Sequence, residues 1–372
     1  MTNSPNDAKV TRPEHIRFDA PVTTIPIAVV EAWATDVLAS VGLSQHDAEL
    51  TASNLAYAES RGVHSHGFVR LGTYVERIGA GGIDAAGTPR VVDDLGALVI
   101  VDADNAMGAG SAVFAADIAM ERARQHGIGC VVSRNANHFG AAAFYSNYIA
   151  DAGFLAIVSC NTDKVMCPPF GGRAVLGTNP LAVAVPLPYT ERPQLDMATT
   201  EVSQGRLLVA DQENQPIPIG WAVDAEGQPT TSAAAGLRGA LLPTGGPKGF
   251  GLAFAIDALV TLSGAAVSPD VGKLGGDPAT PQKLGHLFMA IRVDAAGPAE
   301  DYHEGIRRLV DAIHAAGPVD GGTEALAPGE PELAHQESSQ GLLKISTHLA
   351  ESLRTVEKTT GIQLPAPIER SR

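Results

Sequence analysis

The chain has 372 residues, 45% hydrophobic and 5% aromatic, with 40 glycines and 25 prolines dispersed without a repeat, which suits a large core in two or three domains and excludes fibrous or low-complexity architecture. Lys+Arg 26 against Asp+Glu 41 leaves a net charge of −15, which disfavours nucleic acid and anionic membrane, so an anionic ligand must be met by local positive groups. Cys130, Cys160 and Cys167 lack paired metal-ligand spacing, residues 1–22 are polar, and no apolar run reaches ~20 residues, so a soluble, cytoplasmic, metal-free protein is expected.

Residues 1–22 read as a disordered or docked N-terminal arm, or an inter-subunit strap. From Pro26, Val29, Val30, Trp33, Val37 and Leu38 recur at helical spacing. Gly42 ends that helix, and Ser44 with Asp47 caps a second over about His46 to Ser60. The second helix delivers the chain into Arg61-Gly62-Val63-His64-Ser65-His66-Gly67-Phe68-Val69-Arg70, before a third amphipathic run through Leu71, Tyr74, Val75 and Ile78. Two arginines, two histidines and a serine beside glycines at a helix junction suit acid/base chemistry near neutral pH and a cation for a carboxylate. His64 and His66 form an H-x-H pair, but no third ligand stands nearby.

Val91-Val92 and Leu98 to Val101 read as strands. Gly108-Ala109-Gly110 then opens a helix through about Gln125, in a context that invites a dinucleotide fingerprint. Val113 stands where the third glycine belongs and no acidic ribose ligand follows, so a Rossmann unit is declined.

The strand at Gly129 to Val132 breaks at Arg134-Asn135-Ala136-Asn137-His138-Phe139-Gly140 into a helix ending near Gly153. His138 there is either a structural histidine or an imidazole able to reach a ligand. Further strands are Phe154 to Cys160, Leu181 to Pro186 and Leu195-Asp196-Met197-Ala198-Thr199-Thr200, with a polar stretch to Pro229. Gly245-Gly246-Pro247-Lys248-Gly249 opens a helix whose free N–H groups, dipole and lysine suit an anionic phosphate, although Gly249 replaces the Ser/Thr of a P-loop. A strand at Gly285 to Val293 and helices at Asp301 to Ala316 and about Thr347 to Thr359 complete the chain.

Five motifs in order, Glu59 to Gly67, Arg134 to Gly140, Gly177-Thr178-Asn179-Pro180, Leu195 to Thr200 and Gly246 to Gly251, resemble the type-2 malate/L-lactate dehydrogenase family over about residues 23 to 360. Its members include malate, lactate, sulfolactate and ureidoglycolate dehydrogenases, diketogulonate reductase and cyclic-imine reductases. The resemblance implies a mixed α/β, non-Rossmann nicotinamide-cofactor fold and a homodimer. It divides the chain into a helical substrate-side region over 23–95, a mixed-sheet cofactor core over 96–325, and a C-terminal segment over 326–372 returning to the N-terminal region.

Carried over by motif, Ser65, Arg70 and Thr162 face a small carboxylate substrate. His66 and His138 are the acid/base candidates, and Asp196, Met197, Ala198, Lys248, Gly249, Pro328, Gly329 and Glu330 contact NAD or NADP. The implied reaction is reversible hydride transfer at C2 of a 2-hydroxy/2-oxo acid. The alternatives are an NADPH-dependent cyclic ketimine reductase and a non-catalytic dinucleotide-binding protein. Arg206, Pro247 and the glycine- and proline-rich loop from Gly272 to Gln282 depart from the family pattern and bear on substrate identity.

Overall fold

In the computed structural model, residues 23–188, 192–318 and 325–366 are described; the N-terminal arm lies outside them. Strand β1 (Thr23–Pro26) leads into helix α1 (Ile27–Ser40) and then α2 (Gln45–Ser60). Ser44 Oγ accepts the Asp47 N–H at 3.1 Å, the expected N-terminal cap. Helix α3 (Leu71–Ala80) closes on Gly81 at φ 84°. The apolar stripes of these three helices meet in one cluster around Val30, Trp33, Leu38, Leu55, Phe68 and Leu71.

Strands β2 (Arg90–Asp94) and β3 (Leu98–Asp102), helix α4 (Gly108–His126), strand β4 (Ile128–Ala136), helix α5 (Ala142–Asp151) and strands β5 (Phe154–Cys160), β6 (Leu181–Ala184) and β7 (Gln194–Met197) follow. Next come α6 (Gln204–Gln212), β8 (Ala222–Val223), α7 (Ala233–Arg238), β9 (Ala240–Leu241), α8 (Pro247–Val260), β10 (Leu284–Arg292) and α9 (Ala299–Ala315). Helix α10 (Glu330–Ser339), strand β11 (Leu342–Ile345) and helix α11 (Thr347–Thr360) end the described chain.

A seven-stranded sheet runs in the order β2-β3-β4-β10-β5-β6-β7. Only the β3/β4 pair is parallel, joined through α4; the other neighbours are antiparallel. Strand β10 sits mid-sheet, consistent with its near-continuous apolar run. Alanines of α4 and Tyr145 and Ile149 of α5 pack on the sheet in one cluster, and Val260 of α8 packs on Val132 and Leu287 in another.

The glycines opening α4 serve close packing. A Cβ at Gly108 would lie 2.2 Å from the His138 carbonyl oxygen, and one at Gly110 would lie 1.9 Å from Asp47 Oδ1. The start of α4 is thus filled by protein, which gives a physical reason for the failed dinucleotide fingerprint.

Strand β1 pairs antiparallel with β11, Thr23 opposite Ile345, and Leu343, Leu349, Leu353 and Val356 join the N-terminal helical core. Neither short strand is evident from local pattern. The stretch from Glu201 to Pro229, read as polar connection, contains α6 and β8, because Val202, Leu207, Ala210, Ile217 and Ala222 bury a small core of their own. Among the described residues no helix is long and apolar enough to cross a membrane, and the three cysteines are unpaired.

Candidate active site

Between α2 and α3 the chain makes two 3₁₀ turns, His64–His66 and Phe68–Arg70. Their anchor is the buried Glu59, whose carboxylate accepts the Phe68 N–H at 3.1 Å and meets His64 Nδ1 at 2.5 Å. Only glycine fits at 67, since a Cβ there would lie 1.9 Å from Glu59 Oε2. Glu59 pushes the pKa of the exposed His64 up, so His64 braces the turn.

With Phe68 and Leu71 sunk in the core, Ser65, His66 and Arg70 are left half-buried. Ser65 Oγ and His66 Nδ1 are 2.9 Å apart, and Arg70 Nε donates to the Ser65 carbonyl at 2.7 Å. That bond fixes one edge of the guanidinium, and the other makes no protein hydrogen bond among the described residues. Such a fork matches a carboxylate.

His138 arrives from the turn after β4, its ring stacked on His66 with centroids 5.6 Å apart and planes 19° apart. Its Nδ1 receives the Gly140 N–H at 3.3 Å and lies 2.7 Å from the Tyr74 hydroxyl. An N–H cannot accept, so Nδ1 carries a lone pair, Tyr74 donates, and the proton of neutral His138 sits on Nε2. Burial pushes the Tyr74 pKa far above its usual range, which keeps that donor protonated.

Burial, with the Arg70 charge second, lowers His66 to about 4. Burial holds His138 well below its ordinary value, with His66, Arg70, His286 and Arg77 acting in the same direction. Both imidazoles are therefore neutral near pH 7, beside a cationic Arg70.

Behind them, His286 of β10 is fully buried and stacks on Phe139 at 4.5 Å, with neither ring nitrogen in hydrogen-bonding geometry to any of the described residues. Burial lowers it to about 3, the Asn137 backbone pulling weakly the other way.

Thr162, just past β5, uses its hydroxyl to accept the Thr178 N–H at 2.8 Å, and its N–H donates to Asn179 Oδ1 at 3.0 Å. It therefore ties the end of β5 to the Gly177 to Pro180 motif. Asp196, on edge strand β7, accepts the Ala143 N–H of α5 at 3.0 Å, and the surrounding protein pushes its carboxyl up to about 6 although the residue keeps solvent access. Met197 ends β7 and Ala198 follows it. At the next residue, the Thr199 carbonyl accepts the Thr244 N–H at 3.0 Å, joining this turn to the start of α8.

Lys248 is exposed at that helix start. The N–H groups expected to be free there are satisfied: Gly249 donates to the Thr244 carbonyl at 2.8 Å and Phe250 to Gly246 at 3.3 Å. Positive character at this end thus rests on the ammonium and the helix dipole. An open cleft of about 440 Å³ adjoins it, lined by Pro169, Glu201, Ile219, Trp221, Pro243 and Gly245 among others, and these are not the residues of the imidazole pair.

Pro328 accepts the Gln194 N–H of β7 at 2.8 Å, and Gly329 at φ 93° packs against Gln194. Glu330 opens α10 rather than lying in a loop; its carboxylate takes the Ala327 N–H at 2.7 Å and meets His314 Nε2 at 2.7 Å. Its oxygens are thereby engaged within the protein.

Two residues that sequence reasoning missed belong here. Tyr74 reads as one more apolar position of an amphipathic helix. Gly205, opening α6, faces Ser65 so closely that a Cβ would lie 2.8 Å from the serine Cβ; its only sequence signal is a glycine inside a helix.

The malate/L-lactate dehydrogenase family model matches residues 25–354. L-Sulfolactate dehydrogenase of Methanocaldococcus jannaschii is 34% identical over 334 residues, 90% of this chain and 96% of that protein. The solved sulfolactate dehydrogenase from that organism superimposes with a TM-score of 0.85 at 32% identity, covering 92% and 98% of the two chains. The NAD(+) ureidoglycolate dehydrogenase of Escherichia coli K12 is 35% identical over 296 residues, 79% of this chain and 84% of that one. The δ1-piperideine-2-carboxylate reductase structure from Pseudomonas syringae gives a TM-score of 0.80 at 27% identity, covering 90% and 99%. The fold, the paired imidazoles beside an arginine and these likenesses converge: the chain belongs to the malate/L-lactate dehydrogenase family.

Proposed function

We propose that this protein catalyses reversible hydride transfer between NAD or NADP and C2 of a small 2-hydroxy/2-oxo carboxylate of the malate, lactate, sulfolactate or ureidoglycolate kind. The observation that carries the reading is one arginine with an open edge beside two stacked imidazoles. Its relatives include enzymes for NAD(+) and for NADP(+).

When bound, the nicotinamide supplies or takes the hydride. Asp196, Met197 and Ala198, Lys248 with Gly249, and the Pro328-Gly329 turn are the residues we assign to hold it, with Glu330 shaping that turn. Their chemistry suits a dinucleotide: an ammonium for phosphate beside a cleft walled by Trp221, proline and glycine.

Arg70 takes the substrate carboxylate and Ser65 orients the C2 oxygen. Thr162 positions the adjoining turn. His138 presents Nε2–H to that oxygen and is our choice for the proton carrier, with His66 bordering it. A carboxylate at Arg70 offsets the positive field that depresses both imidazoles, so substrate binding favours the imidazolium needed for reduction. The Tyr74 hydroxyl both donates and accepts, so it can turn to accept from Nδ1 when His138 is protonated. Once Nε2 has released its proton to the C2 oxygen the remaining proton sits on Nδ1, still accepted by Tyr74, and the resting Nε2–H tautomer returns by proton exchange with solvent, after which Tyr74 donates again.

One observation favours a second reading, a cyclic ketimine reductase. Neutral imidazoles suit a substrate that arrives already protonated, and the piperideine-2-carboxylate reductase shares the fold.

The test follows NADH and NADPH absorbance with pyruvate, oxaloacetate, sulfopyruvate and piperideine-2-carboxylate, using wild type, His66→Ala and His138→Ala. Loss of the essential imidazole lowers 2-oxo acid turnover ~10²–10⁴-fold, but affects imine turnover much less. If neither variant loses tenfold while remaining folded, the imidazole mechanism is wrong. Cofactor binding without turnover of any 2-oxo or 2-imino acid points to the non-catalytic reading.

We also propose a cytoplasmic homodimer. Leu252, Phe254, Leu259 and Leu262 stand exposed along α8 and the turn after it, Phe254 by 63%, a row that a second copy would cover. A monomer mass by light scattering at micromolar concentration would reject the dimer.

A further inference from the structure

The loop from Gly272 to Gln282 is closed on itself: the Gly272 N–H donates to the Gln282 carbonyl at 2.9 Å, and Gln282 Nε2 returns a bond to the Gly272 carbonyl at 3.4 Å. What holds the loop down is Arg77 of α3, buried to 1% exposure. Its Nη2 donates to the Thr280 carbonyl at 2.5 Å, and Nη1 reaches the carbonyls of Lys273, Leu274 and Asp277 at 3.4 Å each. Gly82 lets the loop approach, since a Cβ there would lie 2.0 Å from the Pro278 carbonyl oxygen.

Burying a guanidinium among carbonyls with no carboxylate hydrogen-bonded to it is costly; among the described residues none supplies such a carboxylate and Arg77 Nε has no hydrogen-bond partner. Burial pulls the Arg77 pKa down, with Asp277 and Glu76 opposing. A contact so expensive calls for a reason beyond closing a surface loop.

The reason lies at the loop's last residue. Gln282, 2% exposed, aims Oε1 at the backbone N–H of His138 and accepts it at 2.9 Å. Helix α3 therefore reaches His138 by two routes, one turn apart. Tyr74 grips the ring at Nδ1, and Arg77, through the loop, grips the backbone. The loop also spans towards the substrate-side turn after β5, where the Lys273 charge counters the upward push of burial on Asp163.

We infer that Gln282, held in place by Arg77, is a positioning residue that sets where His138 presents Nε2. The assignment rests on the role proposed above for His138. It gives this loop, which departs from the family pattern, a task at the reacting centre: ring and backbone of His138 are registered to the same helix.

The test uses Gln282→Met, which keeps the length and loses the acceptor, and Gln282→Glu, which keeps the acceptor and adds charge. In the first, kcat falls roughly 10–100-fold, the scale of a misplacement near 1 Å, while the Kd for NADH by fluorescence stays within about twofold. The second retains most of kcat and raises the pH at which His138 titrates by about one unit or more, as a carboxylate close by should. The groups already facing that ring are His66, Arg70, Tyr74, Arg77 and His286.

¹⁵N NMR of histidine-labelled protein follows the ring independently of turnover: the His138 Nδ1/Nε2 signals shift in Gln282→Met and titrate higher in Gln282→Glu. If wild type reduces no 2-oxo or 2-imino acid and the ring signals still respond, the functional reading fails and the positioning role stands. A folded Gln282→Met with wild-type kcat and wild-type ring signals overturns the inference. Should that variant not fold, an unshifted His138 titration in Gln282→Glu overturns it equally.

Discussion

Tyr74→Phe removes one oxygen and leaves a ring of nearly the same shape in a site where Tyr74 is 1% exposed. The packing is kept, so the effect is confined to the 2.7 Å bond to His138 Nδ1. The weaker Gly140 bond at 3.3 Å is left to hold the Nε2–H tautomer alone. A neutral hydrogen bond contributes about 0.5–1.5 kcal/mol net, which converts to roughly a 2- to 13-fold loss of tautomer preference. The same hydroxyl accepts from Nδ1 in the imidazolium that donates, so its loss weakens the donor form by a similar amount; we expect kcat for 2-oxo acid reduction to fall by about that factor, with the Kd for NADH unchanged and stability lowered by no more than about 1.5 kcal/mol. Steady-state absorbance gives kcat, fluorescence titration gives Kd, and the ¹⁵N signals of His138 report which nitrogen carries the proton. Wild-type kcat together with an unaltered Nε2–H signal would refute the idea that Tyr74 fixes the tautomer.

Because burial and Arg70 lower the free-site imidazoles, His66 to about 4, imidazolium becomes abundant in the free enzyme only towards acid pH. Substrate carboxylate at Arg70 raises the imidazole pKa, so the limb of kcat, which reports the complex, lies at higher pH than that of kcat/KM; coincident limbs in a pH–rate series would remove the coupling. Gly205→Ala brings a methyl to 2.8 Å from Ser65 Cβ and must displace the serine. We expect substrate KM to rise about tenfold with cofactor Kd unaltered, and an unchanged KM would separate Ser65 from substrate.

Local chemistry made much of this fold readable. Ser44 and Asp47 announce the cap of α2, and Val113 in place of a glycine already argues against the Rossmann reading that the packing of Gly108 and Gly110 explains. The dense Arg61–Arg70 stretch does gather Ser65, His66 and Arg70, as its composition invites.

What escaped depends on contacts between residues far apart in the chain. Tyr74 looks like core because half its environment is core; only the His138 turn, 64 positions away, gives its hydroxyl a purpose. Gln282 sits in a loop whose glycines and prolines carry no periodic signal. At α8 the expectation of free N–H groups failed because the carbonyls that fill them belong to the preceding turn, whose tight path no local pattern specifies.

The pairing of β1 with β11 has a consequence for synthesis on the ribosome. The helical layer that carries Ser65, His66 and Arg70 is made well before the surfaces that complete its core, Leu343, Leu349, Leu353 and Val356, and before the Ile362 carbonyl that receives the Trp33 indole N–H at 3.2 Å. At about 5–20 residues per second, the first helices wait tens of seconds with an apolar face uncovered. Chaperone dependence during translation should therefore concentrate on the N-terminal region, and a ribosome stalled shortly before Leu342 should hold a chain whose sheet core is present while its substrate-side layer is still unsealed.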